Sequence, residues 1–313
     1  MMDPADSSIQ RSGTHLSKDL LIAVLQHDGL ANEVAANAES YSLKPDSGIR
    51  DATLMFREYF DVAPATTQKL KEEVFRLRYQ VYCSETRFEN PADFPDQLER
   101  DKYDHRSEHS LLRHKRTGID AGTVRLVRPE PEVLSSLPLH DVTDHPFFRD
   151  ETRFPASTVA EVSRFAISRS FRRRLDEYPS PSAAGRFNST RERFYREQEK
   201  KVLPHITLGL FIAMVKMSHE MGVKTWFCVM EKALVRLLAR YSLYFEPIGP
   251  TIEYRGKRQP CYADIDKFLA RVKAEKPDIW RLITANGAYW PTEKAESSTP
   301  CSKDLCRRTG CAG

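Results

Sequence analysis

Residues 205–221, "HITLGLFIAMVKMSHEM", read as a helix that is apolar on almost every side, and such a helix has to be buried. It runs directly into "KTWFCVM", a short apolar stretch of strand length, then into the amphipathic "EKALVRLLARY" and strand-like returns within "LYFEPIGPTIEYRG". Upstream, Leu70, Val74, Leu77 and Val81 recur at helical spacing, with Arg78 flanking the stripe. "HSLLRH" and "AGTVRLVR" are joined by "KRTGID", whose glycine suits a hairpin turn. A proline-rich connection over 129–157, a strand over 159–168, a turn-rich stretch containing "EYPSPSAAGRFNST" and a charged helix near 190–202 complete the pattern. The order is helix, hairpin, strand, helix, strand, helix, strand. It predicts a mixed α/β (α+β) domain from about 66 to 285 without internal repeats.

Residues 1–50 are mostly polar, with one short helical pattern at 17–26, and read as an arm. The expected division is an arm over 1–55, a domain over 56–290 with insertions near 129–157 and 172–203, and a tail over 291–313. A chain of 313 residues with 40% hydrophobic content can bury a core in one large or two small domains. A formal charge of +4 is too small to argue for nucleic acid. The apolar run "LLIAVL" is flanked by Asp19 and by His27–Asp28. It is far short of the roughly 20 residues of a membrane span, so no transmembrane segment and a cytoplasmic location are expected. Cys83, Cys228 and Cys261 lie in hydrophobic patterns that suit reduced, buried thiols. Cys301, Cys306 and Cys311 fall in a polar tail without histidine partners, so metal binding is not expected.

The stretch "EVSRFAISRSFRRR" places ionisable groups inside a strand. Read with period two, Val159, Glu161, Ser163, Phe165 and Ile167 share one face, and Ala160, Val162, Arg164 and Ala166 the other. Glu161 and Arg164 are three residues apart, so a direct pair would need a bulge to re-aim one of them.

Four blocks, "FRLRYQVYCSETRF", "DQLERDKYD", "GTVRLV" and "EVSRFAIS", resemble in order and spacing the signature of acyl-homoserine-lactone synthases, which have the GCN5-related N-acetyltransferase (GNAT) fold. With "SRSFRRR", "VMEKALVRLLARYSLYFEPIGP" and "YRGKRQPCYADI", the chain is similar over roughly 55–290 to acyltransferases associated with PEP-CTERM/exosortase systems, relatives of long-chain N-acyl amino acid synthases. Phe88 stands where autoinducer synthases usually carry a tryptophan that helps hold S-adenosylmethionine.

The resemblance implies a mixed sheet flanked by helices. The strand over 159–168 should splay from "KTWFCVM" to admit the pantetheine arm of an acyl thioester, with backbone N–H groups around Phe165 and Ala166 facing the carbonyl. It marks Glu99, Asp101, Asp104, Glu161 and Arg164 as the catalytic set, and Arg78, Phe88, Arg125, Ser163, Phe165 and Ala166 as substrate-binding. Glu161 and Ser163 are expected toward the cleft, and Arg164 as a clamp on the acidic loop. The alternative reading of the same charges is an ion network holding that loop to the sheet. Arg169, Arg172, Arg173 and Arg174 suit docking of an acidic acyl carrier protein. Gly209 stands alone in its helix and there is no glycine-rich phosphate loop, which favours the carrier protein over coenzyme A as donor. No permanently bound cofactor and no metal are expected. Cys83 reads as a buried structural thiol rather than a nucleophile, His205 and His219 as structural, and the 205–221 helix as core that could line an acyl tunnel. The implied activity is transfer of a fatty acyl group from a thioester to the amino group of an amino acid or similar small amine. The alternatives are an autoinducer synthase using S-adenosylmethionine and a non-catalytic acyl-carrier or lipid sensor.

Overall fold

The computed structural model describes residues 45–171, 173 and 190–290. The helix expected at 17–26, the turn-rich stretch over 175–189 and the cysteine tail lie outside the described residues. The elements are α1 (Pro45–Tyr59), β1 (Phe60–Pro64), α2 (Gln68–Tyr79), β2 (Ser107–His114), β3 (Asp120–Val127), β4 (Val159–Ile167), α3 (Thr190–Val202), α4 (Thr207–Met221), β5 (Thr225–Glu231), α5 (Lys232–Ala239), β6 (Glu246–Pro247), β7 (Ile252–Glu253), β8 (Lys257–Asp264), α6 (Ile265–Glu275) and α7 (Pro277–Ile283). The sheet runs β1-β2-β3-β4-β5-β8-β6, with β7 also paired to β8. Every neighbouring pair is antiparallel except β4–β5. This is a mixed sheet flanked by helices, as the element order and the resemblance predict.

Two faces of the sheet are covered differently. On one, Leu112, Val124, Leu126, Ala160, Val162, Trp226, Cys228 and Ala263 pack with α4, α6 and α7 into the main core. α4 is buried along nearly its whole length, which its apolar composition requires. Among the described residues no single helix is long and apolar enough to cross a membrane. On the other face, α2 contributes Val74, Phe75 and Leu77, packed with Leu111 and Ala166. The 129–157 connection brings Leu134, Leu139, Phe148 and Phe154 onto Val127, Val159 and Phe227.

Two regions differ from the sequence-based expectation. α1 runs through the boundary placed at 55 and buries Ala52, Phe56 and Tyr59. Its apolar residues are too few to stand out in a polar stretch, and Leu54, Arg57 and Glu58 between them are exposed. The C-terminal helices α6 and α7 are also additional, α6 being started by the Asp264 side chain accepting the Lys267 N–H at 3.0 Å.

The strand β4 corrects the strict alternation of faces. β3 pairs Arg125 with Ser163 but Thr123 with Ala166, so Arg164 and Phe165 together oppose one residue, Val124. This is a β-bulge, and Arg164 takes φ +49° within it. The phase flips there. Val159 faces the connection, whereas Phe165 and Ile167 turn to the main core and Ala166 turns to α2.

Candidate active site

β4 and β5 are paired only from Val159↔Thr225 to Val162↔Cys228. Beyond that point no residue of β4 is registered with β5, although both strands continue. The expected splay is therefore present between the two expected strands, and the bulge at Arg164–Phe165 sits where the separation begins. In the wedge lies an apolar cavity of about 10 Å³, lined among others by Val162, Phe165, Phe211, Met214, Cys228 and Met230. That is room for about one water. The lining is dominated by flexible or polarisable side chains that can repack around an apolar guest.

At the lip of the wedge, on the α2 side, three arginines meet three carboxylates. Each comes from a different element. Arg78 projects from α2 and donates from Nε to Glu99 at 2.5 Å and from Nη1 to Asp104 at 2.7 Å. Arg125 projects from β3 and donates to Asp101 at 2.6 and 2.7 Å, to Asp104 at 2.7 Å, and from Nε to Ser163 Oγ at 2.9 Å. Arg164, re-aimed by the bulge, donates from Nη2 to Glu99 at 2.8 Å and lies 3.1 Å from Asp101. The bulge thus puts Arg164 on the same face as Glu161, and Arg164 grips the acidic loop through Glu99 and Asp101, the clamp expected of it.

Backbone hydrogen bonds hold the acidic loop to α2 and to itself. Glu99 N–H donates to the Phe75 carbonyl, Asp101 N–H to Asp104 at 2.7 Å, and Tyr103 N–H to Asp101 at 2.9 Å. All three guanidinium groups are fully buried, and the carboxylates nearly so. Burial pushes the Asp101 carboxyl up, but Arg125 and Arg164 outweigh it and hold the group down at about 2. Burial likewise opposes ionisation of Glu99 and Asp104, and the neighbouring arginines hold both below the usual carboxylate range. His109 stands opposite Arg125 in the β2–β3 register, with Nε2 3.5 Å from Asp104. Burial brings its pKa down to about 3, so the imidazole is neutral.

The remaining expected residues are distributed around this network. Glu161 is fully buried beneath the connection and accepts the Leu139 N–H at 2.7 Å. Ser163 joins the network through Arg125. Phe165 packs on Phe211 of α4, ring centroids 5.7 Å apart, and its backbone and that of Ala166 belong to the segment of β4 beyond the last β5 pair. Phe88 is half-buried, with the Arg258 guanidinium 5.8 Å from its ring centre. Arg169 donates its backbone N–H to Glu85, and Arg173 is exposed; Arg172 and Arg174 lie outside the described residues. Cys83 is buried, and burial pushes its thiol up to about 12. It is therefore a poor nucleophile.

Residues 77–177 match the acetyltransferase (GNAT) domain model. The match begins at the end of α2 and closes just past β4, so it spans the ion network, the bulge and one side of the wedge. The chain thus carries an acyltransferase domain of GNAT type. Solved structures it resembles include TofI in a ternary complex with an inhibitor and MTA, at 19% identity over 69% of this chain and 96% of that one, TM-score 0.45. A CoA-dependent acyl-homoserine lactone synthase, BjaI, with MTA, is similar at 19% identity over 69% and 88%, TM-score 0.44. FeeM, an N-acyl amino acid synthase from uncultured soil microbes, is similar at 12% identity over 68% and 95%, TM-score 0.41. No curated protein matches the sequence.

Several groups at the site were not singled out from sequence. Glu85 accepts bonds from Ser168 Oγ and from the N–H groups of Arg169 and Ser170, fixing the turn after β4. It belongs to a π-helical continuation of α2, Gln80–Glu85, a distortion frequent at functional sites but invisible to a 3.6-residue pattern. His109 could be placed beside Arg125 only once the hairpin register was known.

Proposed function

We propose that this GNAT acyltransferase moves a fatty acyl group from an acyl thioester, carried by an acyl carrier protein or coenzyme A, to the amino group of an amino acid or similar small amine. The observation that carries the reading is the divergence of β4 from β5 at Val162/Cys228, combined with the bulge at Arg164 and the apolar wedge beside it. A thioester lying across the unpaired edge of β4 would meet backbone N–H groups near Phe165 and Ala166, and its acyl tail would enter the wedge by displacing methionine and leucine side chains.

The acids of the network have a positioning role in this reading. Glu99, Asp101 and Asp104 are already bound by guanidinium groups and held below the ordinary carboxylate range, which makes them weak bases. Together with Arg78, Arg125, Ser163 and Arg164 they keep the bulge in shape. Glu161 holds the connection over the same strand through Leu139. In this reading the basic run of Arg169, Arg172, Arg173 and Arg174 in the sequence serves to dock an acidic carrier protein. The resemblance of "VMEKALVRLLARYSLYFEPIGP" and "YRGKRQPCYADI" to PEP-CTERM/exosortase-associated acyltransferases supports a long-chain substrate in such a system.

The test is thiol release from long-chain acyl carrier protein and from acyl-CoA, with and without amines, followed by product mass. Amine-dependent release giving an N-acyl product supports the proposal. A lactone formed from S-adenosylmethionine would make the chain an autoinducer synthase. Thioester binding without release would make it a sensor.

A further inference from the structure

Glu89 follows Phe88 at the end of the segment leaving the π-helical turn. Its N–H donates to the Tyr82 carbonyl at 3.0 Å, and the Tyr82 ring lies 5.4 Å from the Arg164 guanidinium. The Glu89 side chain, 2% exposed, crosses to the β7–β8 turn, where Arg255 Nη2 donates to Oε2 at 3.1 Å. That contact leaves Glu89 Oε1 and Arg255 Nη1 both buried without a hydrogen-bond partner. A buried carboxylate oxygen and a buried guanidinium N–H left unmatched are costly, and here an unused acceptor and an unused donor occur on the two members of one ion pair.

The surroundings fix this pair in place. Arg255 adopts φ +48°. Arg258 donates to the Arg255 carbonyl at 3.3 Å and to Glu231, the last residue of β5, at 2.6 Å. The turn is thereby anchored to the diverging end of β5, while Glu89 is anchored through Tyr82 beside the bulge of β4. The pair bridges the two sides of the wedge mouth, with Phe88 next to it. Burial pushes the Glu89 carboxyl up, against the opposing pull of Arg164 and Arg255 and with a further rise from Glu99. It is therefore a better proton acceptor than the acids of the network.

We propose that Glu89 and Arg255 form the recognition site for an α-amino acid acceptor, Glu89 Oε1 receiving the amino group and Arg255 Nη1 the carboxylate. The inference rests on the acyl-transfer reading and deepens it. The acceptor arrives as an ammonium, which cannot attack. One N–H proton passes to Glu89 Oε1, and the freed nitrogen lone pair attacks the thioester carbonyl carbon. The C–N bond forms and the C–S bond breaks. A second nitrogen proton goes to the departing thiolate, giving the amide and the free thiol, and Glu89 later releases its proton to solvent. No oxidant, metal or covalent enzyme intermediate is needed.

The experiment compares free L-amino acids with their methyl esters as acceptors, using the full chain and a long-chain acyl thioester, with kcat and KM measured separately. In the wild type the free acid should be preferred. Arg255→Gln should collapse that preference by about tenfold or more, mainly through KM, because a charge-assisted hydrogen bond to the carboxylate is lost. Arg255→Lys, which keeps the charge, should retain part of it. Glu89→Gln should lower kcat for acids and esters alike by a factor of about 100 or more, in the range of general-base catalysis. Thermal stabilisation of the wild type by the free amino acid, with no thioester present, should also be lost in Arg255→Gln, a readout independent of turnover. A free-acid preference unchanged in Arg255→Gln and Arg255→Lys, in a folded protein that transfers acyl groups, would overturn the site while leaving the acyl-transfer reading intact. Failure of the wild type to acylate any amine would remove both.

Discussion

Replacing Glu99 by glutamine tests whether the buried charges hold the fold together. The Glu99 carboxylate lies between Arg78 and Arg164, at 2.5 and 2.8 Å, with no appreciable exposure. Glutamine keeps the volume but exchanges one acceptor oxygen for an NH₂ group facing guanidinium donors, and three arginines are then opposed by only two carboxylates. Breaking a buried pair by removing one partner costs about 3–5 kcal/mol. For a domain of this size about 1 kcal/mol shifts Tm by roughly 2–4 °C, so Tm should fall by about 6–20 °C. The double variant Glu99→Gln/Arg164→Gln restores equal numbers, and its loss should be smaller than the sum of the two single losses. Scanning calorimetry at neutral pH on the four proteins decides the matter. A fall of less than about 2 °C for Glu99→Gln, or strictly additive losses, would show that the network contributes little to stability.

Stability should rise with pH through the acid range. His109 is neutral when folded, with its pKa at about 3, and takes up a proton below about 6.5 when unfolded; between these limits the unfolded chain binds one more proton, so this residue adds a slope of about 1.4 kcal/mol per pH unit, which His109→Gln should remove from denaturation curves measured between pH 4 and 6. The carboxylates add to the loss lower down: Asp101, at about 2 when folded, contributes stability that is present above its unfolded pKa of about 3.9 and disappears as pH falls toward 2. Gly209→Ala should destabilise by up to about 2 kcal/mol, an overpacking cost of about 1–3 kcal/mol being partly offset by about 1 kcal/mol of helix propensity, because a Cβ there would stand 2.6 Å from Leu112 and 2.8 Å from Phe56, and urea unfolding measures it. Cys83→Ala should retain most acyl-transfer activity and accumulate no acyl-enzyme; a trapped thioester on Cys83, detected by intact mass, would refute direct attack by the amine. Arg172→Glu/Arg173→Glu should weaken use of an acyl carrier protein far more than of a small acyl-pantetheine, and raising salt should shrink the difference, since exposed charges are screened within about 10 Å at 0.1 M; equal loss with both donors would move these arginines out of a docking role.

The apolar pattern made α2, the β2–β3 hairpin, α4, β5 and α5 legible, because α2 and α5 bury one helical stripe while α4 and β5 are apolar nearly throughout. Gly118 at φ +69° occupies the turn in "KRTGID" as expected. α1 was obscured because its buried residues, Ala52, Phe56 and Tyr59, lie in a polar context, and the helix packs on α3 and α7, far along the chain. At the site, Arg78, Asp101, Asp104, Arg125 and Arg164 were recognisable from their blocks, but their joint burial was not. Charges in a sequence suggest solvent, and only the three-dimensional pairing of three cations with three anions makes such a core tolerable. Glu89 and Arg255 were still less visible: 166 positions separate them, and nothing local in "RFEN" or "YRGK" links one to the other.

The least legible feature was the bulge, and it determines the rest. Counting by twos from Val159 works as far as Ser163 and then assigns Arg164 to the apolar core beside α4, where an unpaired guanidinium could not remain. One extra residue opposite Val124 turns Arg164 onto Glu99 and sends Phe165 into the wedge in its place. Holding a non-glycine residue in the left-handed region costs on the order of 1–3 kcal/mol. Glycine at 164 would relieve that strain but leave Glu99 and Asp101 short of a cation in a buried site, a larger penalty by the magnitudes above. The backbone conformation is therefore set by the charges it delivers. The same local twist carries β4 away from β5, so the residue that completes the ion network also stands where the sheet opens.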